Sequence, residues 1–230
     1  MIEEPRIIVA LDLPTREEAL KLVEKLDPKL CRLKVANTMF TRYGPAFVQE
    51  LMSYGYSIFL DLKYHDIPHQ VAGACRSAAE LGVWMVNLHV SGGVRMMQAA
   101  AEALSDFPKS QRPLLIGVTI LTSMEENDLK PLGIGQNIPA LVADLAKTAE
   151  QSGLDGIVCS AQEVSALRQH LRDDFLFVTP GIRLTSDCTD DQKRVMTPAD
   201  ALAVGSSYLV VGRPITMADD PALALARLYD

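Results

Sequence analysis

Between Ser57 and Val71 the chain reads SIFLDLKYHDIPHQV, an apolar run that leads into Asp61, Lys63, His65 and Asp66 and then into a proline. Side chains alternate faces along a strand, so Asp61 and Lys63 point to one wall while Leu60 and Leu62 point to the other. Asp66 follows beyond the expected strand end. Ile67-Pro68 then opens the next segment with a residue suited to a first helical turn. The result is a D-x-K-x-x-D pattern at the C-terminal end of a strand. A lysine flanked by two carboxylates is held as an ammonium and fixed in place, which suits a proton donor better than a nucleophilic amine. A solvated ion-pair cluster at a strand end is the competing reading, and the triad alone does not decide between them.

The elements that must position this stretch repeat along the chain. With 230 residues, 48% of them hydrophobic, the sequence suffices for one large α/β domain with its own core. Apolar runs read as strands at 6–12, 31–36, 57–62, 84–90, 114–120, 156–160, 175–179 and 208–211. Helical patterns stand between them: a helix after the Thr15–Glu18 capping box, then Pro45 to Met52, about Gln70 to Leu81, Val94 to Leu104, Ile138 to Gln151, one opened by Thr197-Pro198, and a last one over 221–228. Eight strands in units of about 29 residues match the size of a βαβ repeat, and consistent right-handed crossovers close them into a single-domain (β/α)8 TIM barrel. A doubly wound sheet is the alternative, but it would carry a glycine fingerprint after its first strand. Here that turn reads LDLPTREE. Two longer connections, Leu121 to Asn137 and Pro180 to Met196, have the length of lids or binding loops.

Composition narrows the function classes. No stretch reaches the roughly 18 uninterrupted apolar residues of a membrane span, and the opening MIEEPR is acidic where a signal peptide is basic, so the expectation is a soluble cytoplasmic protein with no membrane role. The four cysteines, Cys31, Cys75, Cys159 and Cys188, are far apart and form no C-x-x-C, which points to reduced, mostly buried thiols rather than a zinc site or a disulfide framework. A net charge of −7 speaks against a nucleic-acid surface while leaving room for a local cationic pocket. Small-molecule chemistry is what remains.

In a barrel of this type the active site lies at the C-terminal ends of the strands. Polar residues concentrate there: Asp12 after the first strand, Lys34 on the second, Asp61, Lys63 and Asp66 at the third, Thr122 after the fifth, and Arg183, Gln192 and Arg213 in the last two loops. Pro180-Gly181-Ile182-Arg183 and Gly212-Arg213-Pro214 follow strands seven and eight, where such barrels commonly bind phosphate. Glycine lets the backbone approach an anion and arginine offers a fork of donors. Either pair alone reads as an ordinary turn; both in these positions favour a phosphate site.

The motifs VALD, LKV, FLDLKYHDIP, NLHVSGG, VTILTSM, GLDGIVCSAQE, VTPGIR and VVGRP occur in this order over nearly the whole chain, and in this the sequence resembles the orotidine 5'-monophosphate decarboxylase family. The resemblance implies a metal-free, cofactor-free decarboxylation of orotidine 5'-monophosphate (OMP) to UMP, the last step of de novo UMP synthesis. Lys34, Asp61, Lys63 and Asp66 would then form the charged catalytic network, with Lys63 protonating carbon 6 and Asp66 reaching into the site of a partner subunit in a homodimer. Asp12 would bind ribose, Thr122 would meet the pyrimidine, and Gln192, Arg183, Gly212 and Arg213 would hold the phosphate beneath a closing loop, with Ile67, Gln70 and Pro180 completing the substrate contacts. Two positions depart from the family pattern. Gln70 stands where D-I-P-x-T has threonine, and Ala36 stands where glycine commonly follows LKV; both bear on positioning and affinity, since neither removes a charged group.

Other readings stay open on the residues themselves. A phosphosugar decarboxylase or aldolase with the same D-x-K-x-x-D uses magnesium and resembles this chain except for an acidic ligand in strand two, where Lys34 stands here. A non-catalytic nucleotide-binding barrel would be expected to have lost one of the charged residues, and none is missing. His65 and His69, four apart with Pro68 between them, are too few for a structural metal site, and His89 at the end of strand four reads as a satisfied buried histidine.

Overall fold

The computed structural model describes residues 4–183 and 196–229. Among them, eight parallel strands close into a barrel in sequence order, β1 (Ile7–Ala10), β2 (Cys31–Ala36), β3 (Ile58–Tyr64), β4 (Met85–His89), β5 (Leu114–Val118), β6 (Gly156–Val158), β7 (Leu176–Thr179) and β8 (Tyr208–Val211), with β8 pairing back onto β1. The connecting helices are α1 (Arg16–Val23), α2 (Asn37–Ser53), α3 (Pro68–Leu81), α4 (Val94–Ser105), α5 (Glu126–Leu129), α6 (Ile138–Gln151), α7 (Ala161–Arg168), α8 (Pro198–Ala203), α9 (Arg213–Thr216) and α10 (Pro221–Ala226). This is the TIM-barrel architecture expected from the β–α alternation. No helix among the described residues is long and apolar enough to cross a membrane.

Alternation along each strand sends its side chains into two cores. Outward-facing residues such as Leu33, Leu60, Leu88 and Leu209 pack against the helices in one large buried cluster. Ile8, Phe59, Met85, Ile116, Val178 and Tyr208 fill the barrel interior as a second. β2 carries two cations on its inward face instead of hydrophobes. The Arg32 guanidinium lies 4.1 Å from the centre of the Trp84 ring and 5.1 Å from that of Tyr208, and pairs with Glu4. Lys34, two residues on, emerges at the opposite, C-terminal end of the barrel, so the apolar layer separates a structural cation from one that faces the cavity described below.

Several element boundaries differ from expectation for local reasons. α2 is two helical segments separated at Gly44, whose φ 64°, ψ −163° is not helical: the expected helix starts at Pro45, and the segment before the break, residues 37–43, goes beyond the expectation. α7 was not anticipated between the sixth and seventh strands, although Ser160 and Glu163 form a reciprocal capping box at its start. The longer connection after β5 contains α5, which starts in a box formed by Glu125 and Asp128. Thr197 caps α8 as expected, accepting from the Asp200 N–H at 3.2 Å. β3 runs two residues further than the expected strand, through Lys63 to Tyr64, and that extension is where the chemistry gathers.

Candidate active site

Asp61 is the hub. It sits on the inward face of β3, 6% exposed, one step beyond Phe59 of the interior core along that face. Lys63 Nζ stands 2.6 Å from its Oδ1, and Lys34 Nζ stands 3.1 Å from its Oδ2. Lys34 also lies 3.5 Å from Asp12 Oδ2, at the end of β1. Asn87 on β4 completes the set, donating from Nδ2 to Asp61 Oδ1 at 2.7 Å. Burial by itself pushes the Asp61 carboxyl up; the charges of Lys34 and Lys63 and the hydrogen bonds from Lys63 and Asn87 outweigh it and hold the group below the usual carboxylate range. An ionised carboxylate is thus locked between two ammonium groups in a sparsely hydrated place, where charge interactions are stronger than in water.

Lys63 comes to Asp61 by an irregular backbone. Leu60 pairs with Val86 and Tyr64 with Leu88, so the stretch from Asp61 to Lys63 faces Asn87 with the ladder out of step. Lys63 has φ +52°, the one positive φ outside glycine among the described residues, and its N–H donates to Asn87 Oδ1 at 2.8 Å. The expectation that Asp61 and Lys63 share a wall is met, through a bulge rather than regular pleating.

These groups open into a cavity of about 420 Å³ at the C-terminal ends of the strands. Asp12, Lys34, Asp61 and Lys63 form its charged wall, Thr122 with Ile120 and Leu121 forms another part, and Pro180, Gly181, Arg183, Gly212 and Arg213 form the rim contributed after β7 and β8. Gly181 has φ +80°, a conformation that side chains resist, so the turn that starts this rim requires glycine. The two ends of the connection after β7 are tied together by an Ile182–Met196 bridge and by the Arg183 N–H donating to Met196 O at 3.1 Å, which sets Arg183 beside the cavity. Two arginines on one rim and two lysines on the opposite wall give a site for a ligand with an anionic tail and a reacting group some distance away.

Not all expected residues gather here. Asp66, Ile67 and Gln70 stand at the start of α3, exposed and away from the cavity lining of the single chain; Ile67 is 63% exposed. Asp66 spends one carboxylate oxygen on the Ile67 N–H at 2.6 Å. Gln192 and Cys188 lie outside the described residues. Among the described residues no group of three or more histidine, cysteine or acidic side chains could hold a metal ion. His89 does not line the cavity: its ring centre is 5.5 Å from that of His65, and burial, aided by the nearby His65 and Lys63 charges and opposed by Asp61, lowers its pKa. Cys31, Cys75 and Cys159 are buried free thiols; burial pushes Cys31 and Cys75 up to about 12 and Cys159 well above its usual value.

Asn87 is the site residue that sequence reasoning missed. Its signal was present, since an asparagine between Met85 and His89 on the same face of an otherwise apolar strand must find buried partners. Nothing local says which partners those are.

Known proteins resemble this chain along nearly its whole length. The family described as "Orotidine 5'-phosphate decarboxylase / HUMPS family" matches residues 5–228. A protein of Coxiella burnetii named orotidine 5'-phosphate decarboxylase is 56% identical over 222 residues, covering 96% of this chain and 94% of that protein. One of the same name from Vibrio cholerae is 55% identical and covers 99% of this chain and 98% of its own. The crystal structure of orotidine 5'-phosphate decarboxylase from Lactobacillus acidophilus superposes with a TM-score of 0.87 at 38% identity, covering 99% of this chain and 98% of that one. Identity at this level across the full barrel leaves no room for a shared fold alone, and the chain belongs to the orotidine 5'-phosphate decarboxylase / HUMPS family.

Proposed function

We propose that this protein decarboxylates OMP to UMP without a metal ion, with Lys63 as the proton donor. The observation that carries the reading is the Lys34–Asp61–Lys63 array at one end of a cavity whose other rim bears Arg183 and Arg213. Breaking the bond between carbon 6 and the carboxylate releases carbon dioxide and leaves the electron pair on carbon 6, in the ring plane, where the ring delocalises it poorly. A preorganised positive charge is what such a carbanion needs. The Lys63 ammonium stabilises the developing charge and passes its proton to carbon 6; solvent then restores the ammonium. Asp61, held ionised, fixes both lysines and disfavours the substrate carboxylate placed beside it. Arginine contacts to the phosphate, far from the reacting carbon, supply the binding energy that orients the ring.

The metal-dependent phosphosugar branch of the same family would need an acidic ligand on β2. Lys34 occupies that position with its Nζ 3.1 Å from Asp61, so a fixed ammonium stands where that chemistry would put a cation. Asp66, Ile67 and Gln70 find their role in a two-fold dimer: exposed in one chain, they complete the site of a second copy, and Asp66 joins the neighbour's Lys63. A biosynthetic step of this kind belongs in the cytoplasm. Chelator-treated protein mixed with OMP should show the absorbance change of conversion to UMP at full rate. Absence of conversion, or a rate restored only by magnesium, overturns the reading.

A further inference from the structure

Asn87 lies on β4 with no exposed surface, between Met85 of the interior core and His89 at the cavity end of the same face. Both ends of its carboxamide are engaged, the Nδ2 donating to Asp61 Oδ1 at 2.7 Å and the Oδ1 accepting from the Lys63 N–H at 2.8 Å. The second bond replaces one the ladder does not supply. Where the β3–β4 register shifts between Leu60 and Tyr64, the Lys63 backbone turns to φ +52°, and the Asn87 side chain takes up its amide hydrogen. The same turn brings Lys63 Nζ to 2.6 Å from Asp61, whose Oδ1 is the oxygen that Asn87 also holds. One side chain therefore fixes both the conformation that aims the lysine and the carboxylate at which it is aimed. The job needs a neutral group that donates at one end and accepts at the other, which a carboxamide does and a carboxylate does not.

We propose that Asn87 is a positioning residue for decarboxylation, holding Lys63 in its left-handed backbone conformation and Asp61 Oδ1 in register with the Lys63 ammonium. The proposal rests on Lys63 being the proton donor. Asn87 does not line the cavity, and the arginine rim that grips the phosphate belongs to other strands. Its loss therefore falls on the chemical step rather than on substrate capture.

The test measures kcat and KM for OMP, across pH, in Asn87→Ala, Asn87→Asp and Lys63→Ala proteins. Asn87→Ala should lower kcat by about a hundredfold, the scale expected for a reacting group misplaced by about 1 Å, with KM changed by less than about threefold. Asn87→Asp should be as poor at neutral pH, where two carboxylates confront each other. Its activity relative to wild type should rise as the pH falls, because the introduced carboxyl, once protonated, donates to Asp61 while still accepting from Lys63. The Asn87→Ala ratio should show no such rise. A kcat for Asn87→Ala within about twofold of wild type overturns the proposal, as does a KM that rises in step with the loss of kcat, or an Asn87→Asp ratio that stays flat on acidification. Should Asn87→Ala fail to fold, the pH response of Asn87→Asp decides alone. Near-normal turnover by Lys63→Ala removes the proton-donor reading, whereas an inactive Lys63→Ala beside an active Asn87→Ala removes only the positioning one.

Discussion

Replacing Asp61 by asparagine changes almost no volume and one charge, and the structure says where the cost arises. The amide oxygen of Asn can still accept from Lys63 and Asn87, as Asp61 Oδ1 does, but its NH2 group then faces Lys34 Nζ across the 3.1 Å now spanned by an ion pair. Among the described residues Lys34, with a side chain 9% exposed, keeps only Asp12 as an ion-pair partner, 3.5 Å away and 60% exposed. Removing one member of a buried pair costs about 3–5 kcal/mol. Asp12 and the 30% exposure of the Lys63 side chain place this case near about 3 kcal/mol, equivalent to a fall of roughly 6–12 °C in Tm for a chain of this size. The pH dependence has a definite sign. Because the folded-state pKa of Asp61 is depressed, its stabilisation is fully present above the unperturbed value of 3.8 and disappears as the pH falls through the lower folded value. Urea unfolding followed by circular dichroism, at fixed protein concentration from pH 7 downward, should show a wild-type advantage that is constant above about pH 5 and closes below about pH 4. An Asp61→Asn protein as stable as wild type at pH 7, or an advantage that widens on acidification, would refute the reasoning.

Three further outcomes are expected. On the proposed reading the Arg213 fork holds the phosphate, so Arg213→Ala should weaken OMP far more than orotidine; equal losses in competition assays would make the residue structural. On the proposed shared-site dimer, Lys63→Ala and Asp66→Ala proteins, each nearly inactive, should recover roughly a quarter of wild-type activity after subunit exchange, because about half the dimers would be mixed and each of these would have one intact site; confirmed exchange without recovery would place Asp66 in its own chain's site. Native protein should offer at most one thiol, Cys188, to a neutral-pH disulfide reagent and all four after unfolding, as Cys31, Cys75 and Cys159 are buried with raised pKa values; rapid labelling of Cys159 in the native state would contradict its burial.

What the sequence determined by itself is what depends on near neighbours. The inward and outward faces of β3, the Pro68 start of α3, the Thr197 cap of α8 and the extent of α6 follow from alternation, from proline's fixed φ and from side chains that reach three residues along the chain. The eightfold count of β–α units, and with it the barrel, was legible because each unit carries its own pattern. The charged wall of Asp12, Lys34, Asp61 and Lys63 was legible for the same reason, since a closed parallel barrel sends every strand's C-terminal end to one rim. Tertiary structure alone decided how that wall is held. The slipped β3–β4 register and the positive φ of Lys63 are stabilised by Asn87, 24 residues away along the chain, and no local pattern names a partner at that distance. Glycine before proline reads as a break, and Gly44 is one; what the sequence did not reveal is the helical segment before it, residues 37–43, whose Met39 packs in the same core as Phe47 beyond the break. A chain encodes its elements through contacts within a few residues, but the aim of a catalytic group is set by whichever distant side chain satisfies the backbone that the ladder leaves unpaired.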